Sequence, residues 1–297
     1  MYIIYLRIFM TKALFLFQDL AKTTLGDARY TKYLNWVRAS DEARRGSLGA
    51  LTVMKANQYD KAEELITWNT FAPLLKMEKV ARDNTTSTII TEGLRREVGE
   101  YLDGEGFRLQ FEYTIPSPRS YLERRRLSVH NHPVKYVREE AKDKEVLEGN
   151  THVDLALMNS KLLVLVEVKF TSDIQGYVRY DPVRNQLARL IDAGIDASHG
   201  RKLAVLLLSP EWGYNSRNRL YCYKLDEYRE STEKLRADIP HRTLAEITNT
   251  LLGVGWVPLE FAASTVHKKA IELGLLDKGE AQQVQDFYDE RRMHLTM

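Results

Sequence analysis

The sequence predicts an α/β protein, a mixed central sheet flanked by helices, with mainly helical additions at both ends. Three stretches carry that expectation. Residues 151–158 (THVDLALM) and 161–170 (KLLVLVEVKF) are apolar runs separated by Asn159-Ser160, a pair suited to a tight hairpin turn. Both read as strands buried on two faces. Residues 202–209 (KLAVLLLS) form a third such run beyond a stretch with helical spacing. With a helix and an alternating strand ahead of them, the order is helix, strand, strand, strand, helix, strand. At 297 residues and 44% hydrophobic composition, the chain is long enough for one large core with additions. We place residues 1–84 in an N-terminal mainly helical subdomain, 85–215 in the core and 216–297 in a C-terminal mainly helical extension.

The first seventeen residues, MYIIYLRIFMTKALFLF, imitate a targeting segment. Arg7 and Lys12 interrupt the apolar run, however, and no small-residue cleavage site follows. The expectation is a buried strand or helix, or an extension ahead of a start at Met10, in a cytoplasmic protein with no membrane partner. Residues 11–79 are mostly helical in pattern, with Tyr30, Tyr33, Trp36, Trp68 and Phe71 as core aromatics. A junction falls over 39–51, and one helix or two short ones over 59–77, interrupted near Pro73. Residues 82–90 (RDNTTSTII) are rich in capping residues and precede a helix over 89–102 that stops at Asp103-Gly104. Its apolar stripe is Ile90, Leu94, Val98 and Tyr101. Glu97 falls inside that stripe, while Glu92 lies about 140° away from it around the helix.

Alternation marks residues 107–115 (FRLQFEYTI) as the first core strand, closed by Pro116 and Pro118. Residues 119–149 are long, polar and charged, so they carry a function or small elements of their own. Arg124-Arg125-Arg126 within them suits either phosphate contact or a solvated face. A helix near 181–193, opened by Asp181-Pro182, presents Gln186 and Arg189 beside Leu187 and Leu190. The net charge is only +2 although 28% of residues are charged, so nucleic-acid binding must rest on a local patch. Arg179, Arg184 and Arg189 are the candidates. Trp212, Tyr214, Arg217 and Arg219 then interleave aromatic and basic residues, suited to stacking on bases or to packing. The remainder is helical in pattern, including 244–252 and 264–276. The single cysteine, Cys222, excludes an intramolecular disulfide and a Cys-based zinc or iron–sulfur site. No GxxxxGK[ST] sequence occurs, so any ATPase, helicase or sensor would be a separate partner.

The chemistry concentrates in the hairpin. Side chains alternate along a strand, so Glu167 and Lys169 share a face with Leu165, opposite Val164, Val166 and Val168. Asp154 shares its face with His152 and Ala156, and across the hairpin it comes within reach of Glu167. Charges inside an apolar sheet cost several kcal/mol when unpaired, and they persist where they coordinate something or do chemistry. Two acids and one ammonium leave one negative charge, which suits a divalent cation. Carboxylate oxygens suit a hard one such as Mg²⁺. An ordinary ion pair at a strand end would account for Glu167 and Lys169 alone, but not for Asp154 across the turn. His152 reads as a satisfied strand histidine.

Asp154 followed by Glu167-Val168-Lys169 on the next strand resembles the PD-(D/E)xK phosphodiesterase superfamily, over roughly residues 87–210. Position 153, where the name-giving motif has Pro, is Val153. The resemblance implies a restriction-endonuclease-like core (α-β-β-β-α-β) that hydrolyses nucleic-acid phosphodiester bonds, DNA favoured. It implies Asp154, Glu167 and the Val168 carbonyl as ligands of Mg²⁺, for which Mn²⁺ can substitute. A further carboxylate from the helix before the first strand is then Glu97, with Glu92 as the alternative. Lys169 would orient the attacking water or offset developing charge, and Gln186 would help orient the site. A DNA endonuclease of anti-phage defence or restriction is the expectation. The alternatives are a structure-specific repair or recombination nuclease, or a non-catalytic nucleic-acid-binding or assembly module that keeps the fold. A homo-oligomer is left open. His130-Asn131-His132 spells the name of the HNH nucleases, but that motif is dispersed over a ββα unit, and we assign these residues nothing.

Overall fold

The computed structural model describes residues 14–44, 58–103, 105–131, 135, 148–177, 181 and 184–297. Helices α1 (Gln18–Leu25), α2 (Asp27–Arg44), α3 (Gln58–Lys76) and α4 (Lys79–Leu94) lead into strand β1 (Arg108–Ile115). Helix α5 (Arg119–His130) precedes the hairpin of β2 (Thr151–Met158) and β3 (Leu162–Val168), and α6 (Gln186–Ala197) connects to β4 (Lys202–Ser209). Helices α7 (Glu211–Asn215), α8 (Leu220–Glu230), α9 (Thr232–Asp238) and α10 (Leu244–Thr250) lead to β5 (Leu251–Pro258). Helices α11 (Leu259–Glu272) and α12 (Lys278–Asp289) follow.

The five strands form one open mixed sheet in the order β1-β2-β3-β4-β5. Pairing is antiparallel from β1 through β3 and parallel from β3 through β5. β2 and β3 are joined by a turn and β1 and β2 by a connection that includes α5, whereas each parallel pair is joined by a helical crossover. All of β3 is buried, and its alternation divides the core. Val164, Val166 and Val168 face a cluster built from α3, α4, α11 and α12. Leu163 and Leu165 face a second cluster from α6, α8 and α10. The hairpin turn is fixed by Asn159, whose Oδ1 accepts from the N–H groups of Lys161 (2.9 Å) and Leu162 (2.8 Å).

Several elements depart from the sequence expectation. Helix α4 runs over Lys79–Leu94 rather than 89–102, so the stretch expected to cap it lies inside it. Thr85 and Thr88 satisfy their hydroxyls on the carbonyls of Ala81 (2.7 Å) and Asn84 (2.9 Å), one turn back. Buried Asp83 accepts from the Phe107 N–H at 2.8 Å. The helix stops at Arg95, which has left-handed backbone geometry (φ 54°). Helix α3 continues through Pro73, whose ring is buried in the core, where packing offsets the lost backbone bond. By contrast, residues 119–130 form helix α5, one of the small elements expected within the long polar stretch.

The C-terminal region differs from that expectation as well. Residues 244–252 are helical only to Thr250, and β5 then joins the same sheet as the core strands. Its two glycines explain why it does not read as a strand. A Cβ on Gly255 would lie 2.3 Å from the Gly93 carbonyl oxygen, so α4 and β5 can approach this closely only without one. At the other end, Leu14, Phe15 and Leu16 are buried although they are neither helix nor strand. Asn69 holds them through the Leu16 N–H (3.0 Å) and the Leu14 carbonyl (2.6 Å). The first thirteen residues of that apolar stretch lie outside the described residues. Among the described residues, no helix is long and apolar enough to cross a membrane.

Candidate functional site

The site is built where β2 and β3 part. Their pairing ends at Leu155 opposite Val166, so Val168 has no strand partner on that side. Its N–H donates instead to Asp154 Oδ2 at 2.7 Å. The N–H and C=O of one strand residue point to the same side, which puts the Val168 carbonyl on the Asp154 side as well. One residue on, the Lys169 N–H donates to the Leu208 carbonyl of β4 (2.8 Å), fixing the backbone from which its side chain springs.

Lys169 Nζ lies 2.9 Å from Glu167 Oε1 and 3.5 Å from Glu63 Oε2. Glu63 comes from α3, over a hundred residues away in sequence, and it organises the segment after β3. Its Oε1 accepts from the Phe170 N–H (2.9 Å) and from Ser172 Oγ (2.6 Å). Gln186, the first residue of α6, donates from Nε2 to Glu167 Oε1 at 2.7 Å. The amide orientation is set by its other end, because Oε1 accepts from the Gln175 N–H at 3.1 Å. Asn185 caps α6 by accepting from the Ala188 N–H, and this moves the helix start past the expected Asp181-Pro182.

Electrostatics follow from the count of charges. Three buried or half-buried carboxylates, Glu63, Asp154 and Glu167, surround one ammonium. Burial, and then the Glu167 carboxylate, hold Asp154 well above the usual carboxylate range, against the pull of Lys169 and the Val168 N–H. Burial also raises Glu63, with Lys169 and Ser172 pulling the other way. Burial alone would lower Lys169, but Glu167, Glu63 and Asp154 outweigh it and hold the ammonium above its ordinary range. Lys169 is therefore a fixed positive charge.

A second layer flanks Asp154. Register places Glu112 of β1 opposite it, between the pairs Phe111–Leu155 and Tyr113–Val153. Glu112 has a positive φ of 49° within the strand, a conformation that costs about 1–3 kcal/mol. Its carboxylate is held there by Tyr33 (2.5 Å) and Arg29 (2.7 Å) of α2. Beyond Lys169, the Phe170 ring meets Trp212 edge-on at 6.1 Å, and Trp212 is 38% exposed. An aromatic surface thus stands beside the charged cluster.

The structure brings Asp154, Glu167, Lys169 and Gln186 together, and it excludes the two acids expected from the helix before β1. Glu97 lies beyond the end of α4 and is exposed, and Glu92 pairs with Arg95 at 2.9 Å. The cause is the start of α4, ten residues earlier than expected, which moves position 97 off the helix altogether. The acid that does arrive is Glu63. Its signal was a carboxylate on the buried stripe Glu63, Thr67, Thr70, Leu74 of α3. Arg184 is a further correction. It precedes α6 and is buried against Glu148 (2.6 and 2.9 Å) and Asp192 (2.9 Å), with its guanidinium over the Tyr121 ring, so no phosphate reaches it. Arg189 is half-buried, and Arg179 lies outside the described residues. His152 is exposed beside Thr114 Oγ1 at 3.1 Å.

Whether these residues suit a cation is a question of donor chemistry. Among the described residues, no group of three or more His, Cys, Asp or Glu side chains is placed to hold a metal ion. The Lys169 ammonium stands between Glu63 and Glu167. Asp154 and Glu167 with the Val168 carbonyl nevertheless form a set of hard oxygen donors, and Asp154 is under-compensated. That set fits a hard divalent cation.

Fold and site together define an α/β protein with an acid-rich ion cluster where two central strands diverge. No family model matches the chain, and neither the curated proteins nor the solved structures contain a match.

Proposed function

We propose that this protein hydrolyses phosphodiester bonds in nucleic acid, DNA favoured, with Mg²⁺ or Mn²⁺ held by Asp154, Glu167 and the Val168 carbonyl. The observation that carries this reading is the charge surplus at the strand divergence, three carboxylates around one ammonium, with Asp154 held above its ordinary range. The strand–hairpin–helix–strand arrangement on a mixed sheet supports reading the core as restriction-endonuclease-like.

A bound cation of this kind lowers the pKa of a water and neutralises charge at phosphorus. The remaining tasks belong to the chain. Lys169, kept as an ammonium, cannot serve as a base. It offsets negative charge developing on the phosphate, a role suited to a compact cation in a site with little water. Glu63 positions Lys169 and the Phe170–Ser172 backbone, and Gln186 fixes the rotamer of Glu167. The exposed face of Trp212 suits stacking with a base beside the scissile bond.

The test is nicking of plasmid DNA with Mg²⁺ or Mn²⁺, abolished by EDTA. Asp154→Ala and Glu167→Ala should be folded and inactive. Undiminished cleavage by purified Asp154→Ala protein in a contaminant-controlled assay would overturn the assignment. A second reading rests on the Lys169 bridge. If that bridge is a permanent pin, the chain is a non-catalytic nucleic-acid-binding or assembly module, and it binds no divalent cation even at millimolar Mn²⁺.

A further inference from the structure

We propose that the cavity between α5 and the turn after α9 is a binding site for a phosphate-type oxyanion, independent of the cation reading above. The cavity has a volume of about 170 Å³. At ~30 Å³ per water, that is room for roughly five to six waters, enough for a phosphoryl group and its neighbours.

Among the described residues, one buried donor on its lining lacks an acceptor. Arg125, on α5, is only 8% exposed, and its Nη2 has no hydrogen-bond partner among the described residues. His241, after α9, donates from Nε2 to Asp192 (2.9 Å), so in the neutral ring its Nδ1 is an acceptor, suited to a protonated oxygen of the oxyanion rather than a charged one. A buried guanidinium nitrogen without an acceptor carries an uncompensated desolvation penalty. An oxyanion in the cavity removes that penalty.

The charges on the wall favour an anion. Arg124 lies beside Arg125 on the lining. Asp238 also lines the cavity, but its carboxylate is already taken by Lys224 (2.9 Å), Asn185 (3.0 Å) and the Tyr228 hydroxyl. Asp181 accepts from the Tyr121 hydroxyl at 3.3 Å. Among the described residues, two guanidiniums therefore face one carboxylate that has no ion-pair partner. The guanidinium fork matches the paired oxygens of a tetrahedral oxyanion, and the Ser128 hydroxyl at the lining adds a neutral donor. The wall is preformed, because Tyr121 is clamped under the buried Arg184 guanidinium at 3.7 Å.

The experiment is calorimetric titration of the full chain with inorganic phosphate, in EDTA and at constant ionic strength, so that the outcome is independent of any cation. Wild type should bind phosphate saturably. Ser128→Glu places a carboxylate at an exposed helical position on the lining and should weaken binding by at least about tenfold while the protein stays folded. Arg125→Gln should do the same, and if it fails to fold, Ser128→Glu decides alone. Displacement by a 5′-phosphorylated oligonucleotide but not its 5′-hydroxyl form would identify a strand end as the source. Equal displacement by both would identify internal phosphates, and displacement by neither a free phosphorylated compound. No saturable binding by wild type, or unchanged binding by Ser128→Glu, overturns the proposal.

Discussion

Glu63 is where the geometry of the charged cluster can be probed with least steric disturbance. Glu63→Gln keeps the volume and an oxygen that can accept from the Phe170 N–H, now at 2.9 Å, but removes the charge 3.5 Å from Lys169 Nζ. Breaking a buried ion pair costs about 3–5 kcal/mol when the surviving charge is left alone. Lys169 is not left alone here, since Glu167 stays 2.9 Å away. The raised pKa of Glu63 also shows that its ionised form already carries a burial penalty. We therefore expect Glu63→Gln to cost about 1 kcal/mol or less. Glu63→Ala also strips the acceptor from Phe170 and Ser172, at roughly 1.5–3 kcal/mol for each bond to a charged group, so about 3 kcal/mol or more in all. Under the proposed function, Lys169 in Glu63→Gln turns wholly to Glu167 and competes with the cation, weakening Mn²⁺ binding by about tenfold, or ~1.4 kcal/mol. Denaturant unfolding and calorimetric Mn²⁺ titration measure both effects. Glu63→Ala as stable as wild type within ~0.5 kcal/mol would refute the role given to Glu63 in holding residues 169–172.

Three further outcomes are expected. Arg184→Ala should destabilise the fold by about 3–5 kcal/mol, because Glu148 and Asp192 lose a fully buried partner; a melting temperature near that of wild type would return Arg184 to the list of surface contacts. His267 is fully buried and its pKa is pushed down to about 3 by burial. With an unfolded value near 6.5, its contribution is complete above that pH and declines as pH falls toward 3, by roughly 2 kcal/mol at pH 5. Between pH 7 and 5 the stability difference between wild type and His267→Leu should therefore shift by about 2 kcal/mol in favour of the variant, and parallel curves would rule the effect out. Asp154 has the opposite sign: its raised pKa means its contribution is present at low pH and lost as pH rises through the folded value. Asp154→Asn should then stabilise the cation-free protein at pH 8 by about 1 kcal/mol, and a loss of stability would show that the cluster is already balanced.

The strands of the hairpin and β4 were legible because burial on both faces leaves an apolar run with little else in it. The charged residues stood out against that background, and so did the turn at Asn159. Helix α4 was misplaced for a local reason. Thr85, Thr88 and Asp83 are residue types that cap helices, and nothing nearby reveals that they bond one turn back or reach Phe107. The wrong acid, Glu97, followed from that boundary. Glu63 was hidden by distance along the chain, since a buried acid on an aromatic-rich helix points to its partners only once α3 is laid against β2 and β3. β5 was hidden by Gly253 and Gly255, which depress strand character while permitting the contact with Gly93. Arg184 reads as an exposed helix residue until the cap at Asn185 turns it inward.

Two clusters of buried charge are treated differently by the fold. Asp192 meets Arg184 at 2.9 Å, Arg242 at 2.7 Å and His241 at 2.9 Å, while Glu148 and Asp196 complete the two guanidiniums. Burial alone would raise Asp192, yet His241, Arg184 and Arg242 hold it below the usual carboxylate range. At the divergence of β2 and β3 the acids outnumber the cations, and Asp154 moves the other way. Burial is common to both clusters, so the difference lies in the supply of partners. Matched charges make a brace, and adding a cation to them would gain nothing. A surplus of carboxylates costs stability for as long as nothing occupies the space between them. Under the proposed function, the fold keeps this surplus at the end of its most buried strand, with Gln186 and Glu63 held around it, for the cation that would balance it.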